Sequence, residues 1–470
     1  VNPAILVPEP NPFVPHNFAM PRNKKPGSVP VELRLGERMR MWWLQDNKFK
    51  VPKTQAYFNF HTPLANDTPL NAALSQLYVD LLQDSLNEFA YPAVLAGLQV
   101  GALKHLRGVS IKVGGYSDKQ RLLLKRVAKA MAMEEVDPQR FVALKKERIR
   151  SWLNAKKQLP YLQVIGAVSE TLIKSYWQED ELVQALREAS IDDLQKFKTR
   201  FFQTANVDAM VYGNLKKGQA KRLAKLMRKV LEKPAAKRPQ QAEVEVAQLQ
   251  NKTTLQRELE IDHSDAAMLL YRQGKDRSDH TRALLALSMQ LLKTDFFQQL
   301  RTEQQLGYVV FADAMPVVDV PGAAFVVQSP TASGAEIYAA IGEFLRSYGK
   351  KASTMPVEYF AQQKAALISD LAEQPKNQRG QAGRYWEAIS MEDLNFDQRQ
   401  RLQRILEKTN LEEWRTFFKQ TLVANTDRQL LLWSPGQKTL ASLPDDIKTV
   451  HSLHKFKEQQ TYYEFQAIIE

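Results

Sequence analysis

Leu95-Ala96-Gly97-Leu98-Gln99-Val100 and Gln305-Leu306-Gly307-Tyr308-Val309-Val310 are two versions of one sentence. In each, an amphipathic helical stretch ends, a glycine allows a turn, and an apolar strand begins. The helices that lead in are read over Leu70 to Phe89 and over Arg277 to Leu300. Ahead of them stand alternating, strand-like segments, Gln55-Ala-Tyr-Phe-Asn-Phe60 and Ala266-Ala-Met-Leu-Leu-Tyr271. The correspondence continues downstream at a spacing of about 210 residues, too long for a solenoid and right for duplicated domains.

Strands are expected at Val109 to Val113 and Ala323 to Val327, then helices from near Ser117 and Ser333. A second pair of helices opens at Asp137-Pro138 and Met355-Pro356, where proline suits a first helical turn. The next helices are expected to carry Trp177 and Trp386, and Ile191 to Phe197 parallels Leu411 to Phe417. Each copy closes on an apolar strand, Asp208 to Gly213 and Gln429 to Trp433. Strands alternating with groups of helices give an α+β unit, a largely antiparallel sheet with helices packed on one face. The expected organisation is a proline-rich linker over 1–30, one domain over 31–240 and a homologous one over 241–470. The boundary falls in the basic, proline-interrupted stretch Lys233 to Gln240.

Composition narrows the chemistry. The 470 residues are 44% hydrophobic and 25% charged, ordinary for a globular chain of two domains or more. No apolar run is long enough to span a bilayer. With no cysteine, disulfides, thiolate metal sites and cysteine nucleophiles are excluded. The net charge of +13 clusters at Lys145 to Arg150 and Lys216 to Lys237, both helical in spacing and read as solvated helix faces. The chain begins at Val1, which leads to the expectation of a processed chain or a piece of a longer one.

Catalytic signatures fail one after another. The seven histidines form neither H-E-x-x-H nor H-x-x-E-H, and the one close pair, His451 and His454, reads as a surface pair. There is no G-x-S-x-G elbow and no glycine-rich phosphate cradle. What stands out is Arg301-Thr-Glu-Gln-Gln-Leu-Gly-Tyr308, an arginine and a phenol that can donate hydrogen bonds to a carbonyl oxygen. The first copy has Tyr91 and Leu98 at the corresponding places, so the scaffold does not demand these donors. A difference between duplicates at a shared turn suggests function added to a scaffold.

The run Phe297-Gln-Gln-Leu-Arg301-Thr-Glu-Gln-Gln-Leu-Gly307-Tyr308-Val-Val-Phe311 resembles the C-terminal signature of the pitrilysin and insulin-degrading-enzyme family of inverted-motif zinc peptidases. The likeness extends over the whole chain and is strongest to the C-terminal half of the family's bacterial members. It implies the third and fourth domains of a four-domain clamshell, with the H-x-x-E-H zinc site on an absent N-terminal half. On that likeness Arg301 and Tyr308 contact the scissile carbonyl and its transition state, and Phe297 and Gly307 fall among the substrate-binding positions. It further implies no metal or cofactor in this chain, and zinc in the N-terminal half. The chain alone is then inactive, with that half and peptide substrates as partners, and neither nucleic acid nor membrane. Periplasmic residence is expected from the likeness alone. Two other readings stay open: a non-catalytic structural subunit of the same fold, and a basic nucleic-acid-binding protein.

Overall fold

The computed structural model describes residues 9–22, 27–133, 135–231, 242–250, 254–424, 427–437, 443–444 and 447–463. The expected boundary stretch Lys233 to Gln240 and the first prolines of the expected linker lie outside the described residues. Of that linker, 9–22 and 27–30 run without helix, and Phe13 is fully buried beneath the Arg126 guanidinium.

In chain order, β1 (Val31–Arg34), β2 (Met39–Gln45) and β3 (Lys53–His61) precede α1 (Pro69–Leu95), β4 (Leu98–His105) and β5 (Gly108–Tyr116). Then come α2 (Gln120–Ala132), α3 (Pro138–Ala155), α4 (Pro160–Leu172), α5 (Glu179–Glu188), α6 (Ile191–Thr204), β6 (Asn206–Gly213) and α7 (Lys217–Arg228). The second copy runs β7 (Val246–Ala247), β8 (Leu255–Glu258), β9 (Ala266–Gln273), α8 (Asp279–Phe297), β10 (Val309–Ala314), β11 (Gly322–Ser329) and α9 (Gly334–Ser353). It continues through α10 (Val357–Ala372), α11 (Gln378–Ser390), α12 (Gln398–Lys408), α13 (Leu411–Phe418) and β12 (Gln429–Ser434). β13 (Lys448–Thr449), α14 (Leu453–Glu458) and β14 (Tyr462–Tyr463) complete it.

Local chemistry sets the starts of these helices. Thr68 and Ser278 accept hydrogen bonds from the backbone of α1 and α8, and Ser190–Asp193 and Ser333–Glu336 form capping boxes on α6 and α9. Trp386 lies on α11 as expected. Trp177 does not lie on a helix; it sits in the connection between α4 and α5.

Each copy builds a six-stranded sheet, in the orders β1-β2-β6-β3-β5-β4 and β10-β11-β9-β12-β8-β13. Most neighbours are antiparallel; β2–β6, β12–β8 and β13–β8 are parallel. The central strands are buried on both faces, with Phe58 opposite Ile111 and Ala209, and Leu270 opposite Phe325 and Leu431. Helices gather on one face of each sheet. In the second copy Met268, Leu270 and Phe325 join α8, α9 and α13 residues in one apolar cluster that includes Leu284, Phe344 and Trp414.

The opposite faces are covered differently. The chain divides into two compact units, Val1–Ser151 with Glu179–Glu243 and Pro375–Ser390, and Trp152–Gln178 with Val244–Gln374 and Met391–Glu470. The division does not follow the expected one at 240 and 241, because each unit takes one helix from the other copy. In unit 1, α11 lies against β3 and β6, with Trp386 edge-on to Tyr57 at 5.8 Å and Gln378 donating to the Lys53 carbonyl at 3.1 Å. In unit 2, α4 lies over β9, β11 and β12, and Glu170 pairs with Arg257 of β8 at 2.5 Å. A strand such as β9, buried throughout, needs apolar cover on both faces, and α4 supplies the second.

Candidate functional site

Arg301 stands where α8 ends. The helix buries Leu284, Leu287, Leu291 and Phe296 and then widens into a π-helical turn over Gln298–Glu303. Such a turn admits an extra residue and redirects the chain beyond it. Leu300 stays fully buried and anchors it. Beside that anchor, Phe297 and Arg301 lie one turn apart on the outer side. The guanidinium carbon is 5.3 Å from the centre of the Phe297 ring and 5.9 Å from that of Tyr308. One guanidinium nitrogen, Nη1, donates to the carbonyl of Tyr308 at 2.9 Å and lies 3.4 Å from that of Gly307. Arg301 therefore ties the helix end to the start of β10.

The turn is further fixed by Leu306 N–H donating to the Leu300 carbonyl at 3.0 Å. The left-handed residue in it is Gln305, with φ of 54°. Gly307 is needed for a different reason: a Cβ there would come within 1.9 Å of the Gln328 carbonyl oxygen on β11. In the first copy the left-handed residue is Gly97 itself, at φ of 77°. The two glycines thus answer to different constraints, and the turn common to the sequences is built in two ways. The neighbouring positions differ as well. Leu98 is fully buried, whereas Tyr308 is 83% exposed and its hydroxyl has no partner among the described residues. Phe297, 43% exposed, completes a small projecting cluster of two rings about one cation.

Other polar groups are assembled where the sequence gives no sign of them. In unit 1, Arg40 makes a two-pronged contact with buried Asp208, at 2.8 and 3.0 Å. His61 Nε2 lies 3.2 Å from the same carboxylate, though out of line for a good hydrogen bond. Burial raises the Asp208 carboxyl, but the contacts from His61 and Arg40 outweigh it and hold the group well below the usual carboxylate range. Nearby, burial, with Arg107, His61 and Lys104 adding repulsion, pushes the His105 imidazole down to about 3. Lys104, desolvated and donating to Asn66 Oδ1 at 3.0 Å, is lowered to about 8. These residues are scattered from 40 to 208, and no spacing rule joins them. A cleft of about 380 Å³ between the start of α1 and the α5–α6 turn is lined by Leu70, Ala185 and Asp193 among others. Asp193 is committed there to the Ser190 hydroxyl in the helix cap, so it is not free to act as an acid or base.

His454 contacts Glu458 at 3.1 Å on an exposed face. Among the described residues no three His, Cys, Asp or Glu side chains come together as metal ligands. The donor set of the described residues does not fit a catalytic metal.

Residues 1–185 match the family described as the middle or third domain of peptidase M16, and residues 287–386 match the C-terminal lobe domain 4 of PQQ synthase PqqF-like proteins. Third-domain and fourth-domain likenesses therefore come in chain order. The insulin-degrading enzyme of Homo sapiens is 28% identical over 436 residues, which is 91% of this chain and 43% of that protein. The Drosophila melanogaster enzyme is 30% identical over 90% of this chain and 43% of its own length.

The chain resembles the pitrilysin and insulin-degrading-enzyme family over nine-tenths of its length.

It spans less than half the length of these relatives. A crystal structure of pitrilysin matches 98% of the chain with a TM-score of 0.90 at 20% identity, and the match takes up 49% of that chain. A peptidase M16 inactive domain from Pseudomonas fluorescens matches 88% of the chain and 100% of its own length, with a TM-score of 0.64 at 15% identity. At such identities the two structures bear on the fold. The fold shared with these structures carries two six-stranded sheets here, on a chain whose sequence contains no H-x-x-E-H.

Proposed function

We propose that this chain is the non-catalytic half of a two-half zinc peptidase. In this reading it closes a peptide-binding chamber against an N-terminal half that holds the zinc, and it supplies Arg301 and Tyr308 to the substrate. The observation that carries the reading is the succession of third-domain and fourth-domain likenesses along a chain without the zinc motif. The exposed Tyr308 hydroxyl and the unengaged remainder of the Arg301 guanidinium suit the role.

Metal-activated water adding to a peptide carbonyl builds negative charge on oxygen. A donor placed at that oxygen in a water-poor chamber contributes about 3 kcal/mol to lowering the barrier. Placing it on the opposite half couples chemistry to closure. Arg301 already bonds the turn that carries Tyr308, so it serves two purposes, holding the phenol and donating to substrate. Phe297 offers an apolar wall beside them.

The test is reconstitution with an N-terminal half and a short peptide. Tyr308→Phe keeps the ring and removes only the donor, and it is expected to lower kcat about 100-fold with little change in KM. Arg301→Ala is expected to lower kcat at least as far and also to loosen the turn. A raised KM at unchanged kcat for Tyr308→Phe would refute the role. Periplasmic residence is part of the same proposal, supported by the family likeness alone and tested by cell fractionation. The alternative of a structural subunit predicts that both variants leave hydrolysis by the assembled protein untouched.

A further inference from the structure

Unit 1 carries 39 lysines and arginines against 23 aspartates and glutamates; unit 2 carries 26 against 29, which together make the chain's 65 and 52. The +13 of the chain is therefore +16 on unit 1 and −3 on unit 2.

Two helices concentrate the excess. α2 packs over β5 and α7 over β2 and β6, and the two helices pack against each other in one layer. Their inner faces are buried through Leu123 and Val127 on α2 and Leu223 and Met227 on α7. Neither helix contains an acidic residue. On α2, Arg121, Lys125 and Lys129 recur every four residues; on α7 and its C-cap, Lys217, Lys221, Lys225 and Lys229 do the same, with Arg222 alongside. All are exposed except Lys221, which is half-exposed. None of them has a carboxylate within 4.0 Å among the described residues. A four-residue step along a helix rises about 6 Å, and packed helices lie about 8–10 Å apart. The layer thus presents two rows of cations, about 12 Å long on α2 and about 18 Å long on α7.

The composition of this face selects its partner. Six of the eight cations are lysines, point charges without the planar fork that reads phosphate or base edges directionally. No aromatic side chain and no large exposed apolar side chain lies on either helix, so bases have nothing to stack on. Gln219 is engaged by the Lys216 backbone N–H at 2.9 Å, and Gln120 is buried and donates to the Thr54 and Gly115 carbonyls. The face is otherwise a broad layer of non-directional positive charge, which complements a surface of separate, mobile negative headgroups.

We propose that the α2–α7 face is a peripheral docking surface for bilayers of anionic lipid. Among the described residues no helix is long and apolar enough to cross a membrane, and adsorption of this kind needs none. Binding is electrostatic, reversible and sensitive to salt. The proposal stands apart from the peptidase reading, and its test uses no peptidase assay.

The purified chain is sedimented with vesicles of phosphatidylcholine alone, or of phosphatidylcholine with about 30% phosphatidylglycerol, at low and at high salt. Binding is expected to the anionic vesicles only and to be lost at about 0.5 M salt. Lys125→Gln with Lys221→Gln and Lys225→Gln is expected to lower partitioning about 100-fold, while Lys293→Gln with Lys408→Gln in unit 2 leaves it unchanged. Circular dichroism confirms that the neutralised chain stays folded. Equal binding to neutral vesicles, no binding at low salt, or retained binding by the triple variant each overturns the proposal. Tighter retention on a DNA duplex than on anionic vesicles at the same salt assigns the face to nucleic acid and overturns it too.

Discussion

Gly307 is where one atom decides the geometry. A methyl group would meet the Gln328 carbonyl of β11, which is itself held in the ladder with Ala267 and Val309. Backbone cannot give way as a flexible side chain can, so Gly307→Ala is expected to destabilise unit 2 by about 2–4 kcal/mol. Gly101→Ala, with nothing within 4 Å of the new methyl, is expected to shift stability by less than about 0.5 kcal/mol. Chemical denaturation of both variants checks the contrast. At the same scale His105 sets a pH dependence. Its ordinary pKa in an unfolded chain is about 6.5, and burial with its cationic neighbours lowers it to about 3 in the fold. Between those values the unfolded chain binds more protons, so stability present above about pH 6.5 is lost as the pH falls toward about 3. The residue as a whole is half-exposed although its Nε2 is enclosed. After discounting for that exposure, lowering the pH from about 7 to about 5 is expected to cost about 1 kcal/mol. His105→Gln should flatten this part of the curve, as read by thermal melts across the range.

At the scale of the element, the helices fall into those that a sequence places and those that only packing places. α1 and α8 announce themselves by apolar periodicity and a capping residue. Their ends do not: the π-helical turn at Gln298–Glu303 carries no composition signal, because it is set by Leu300 staying in the core while the chain turns toward β10. α4 and α11 are the opposite case. Helices are expected around Trp177 and Trp386, and the first forms ahead of Trp177 as α4. Sequence order assigns each to the sheet of its own copy, not to the one it covers. Their anchors make that assignment testable. Glu170→Ala would leave the Arg257 guanidinium buried against Thr171 without its carboxylate, and a loss of about 3–5 kcal/mol is expected from unit 2. Trp386→Ala would open a cavity over Tyr57 and is expected to cost unit 1 about 3–5 kcal/mol. Site-specific fluorescence of the remaining tryptophans, tracked through denaturation, distinguishes the unit that is weakened.

For the whole molecule, the exchange of helices has a consequence for any attempt to cut it in two. A fragment of residues 1–240 lacks Pro375–Ser390 and leaves bare the face of β3 and β6 that α11 covers. Such a fragment is expected to bind a hydrophobic dye and to melt without cooperativity. Mixing it with 241–470 should restore a cooperative transition. Cooperative folding of 1–240 alone would show that the borrowed helix is dispensable.

The duplication, the alternation of strands and helix groups, and the singularity of Arg301 and Tyr308 against Tyr91 and Leu98 can be read along the chain. These come from periodicity, capping chemistry and comparison of one copy with the other, all of which are local in the chain. Packing settles which sheet each helix covers, how the turns at Gly97 and Gly307 differ, and that His61, His105 and Asp208 gather together. It also sets the cations of α2 and α7 side by side. Each of these depends on contacts between residues far apart in sequence. Such contacts are fixed by the burial of both faces of a central strand and by the close approach of backbones, and local patterns do not encode them.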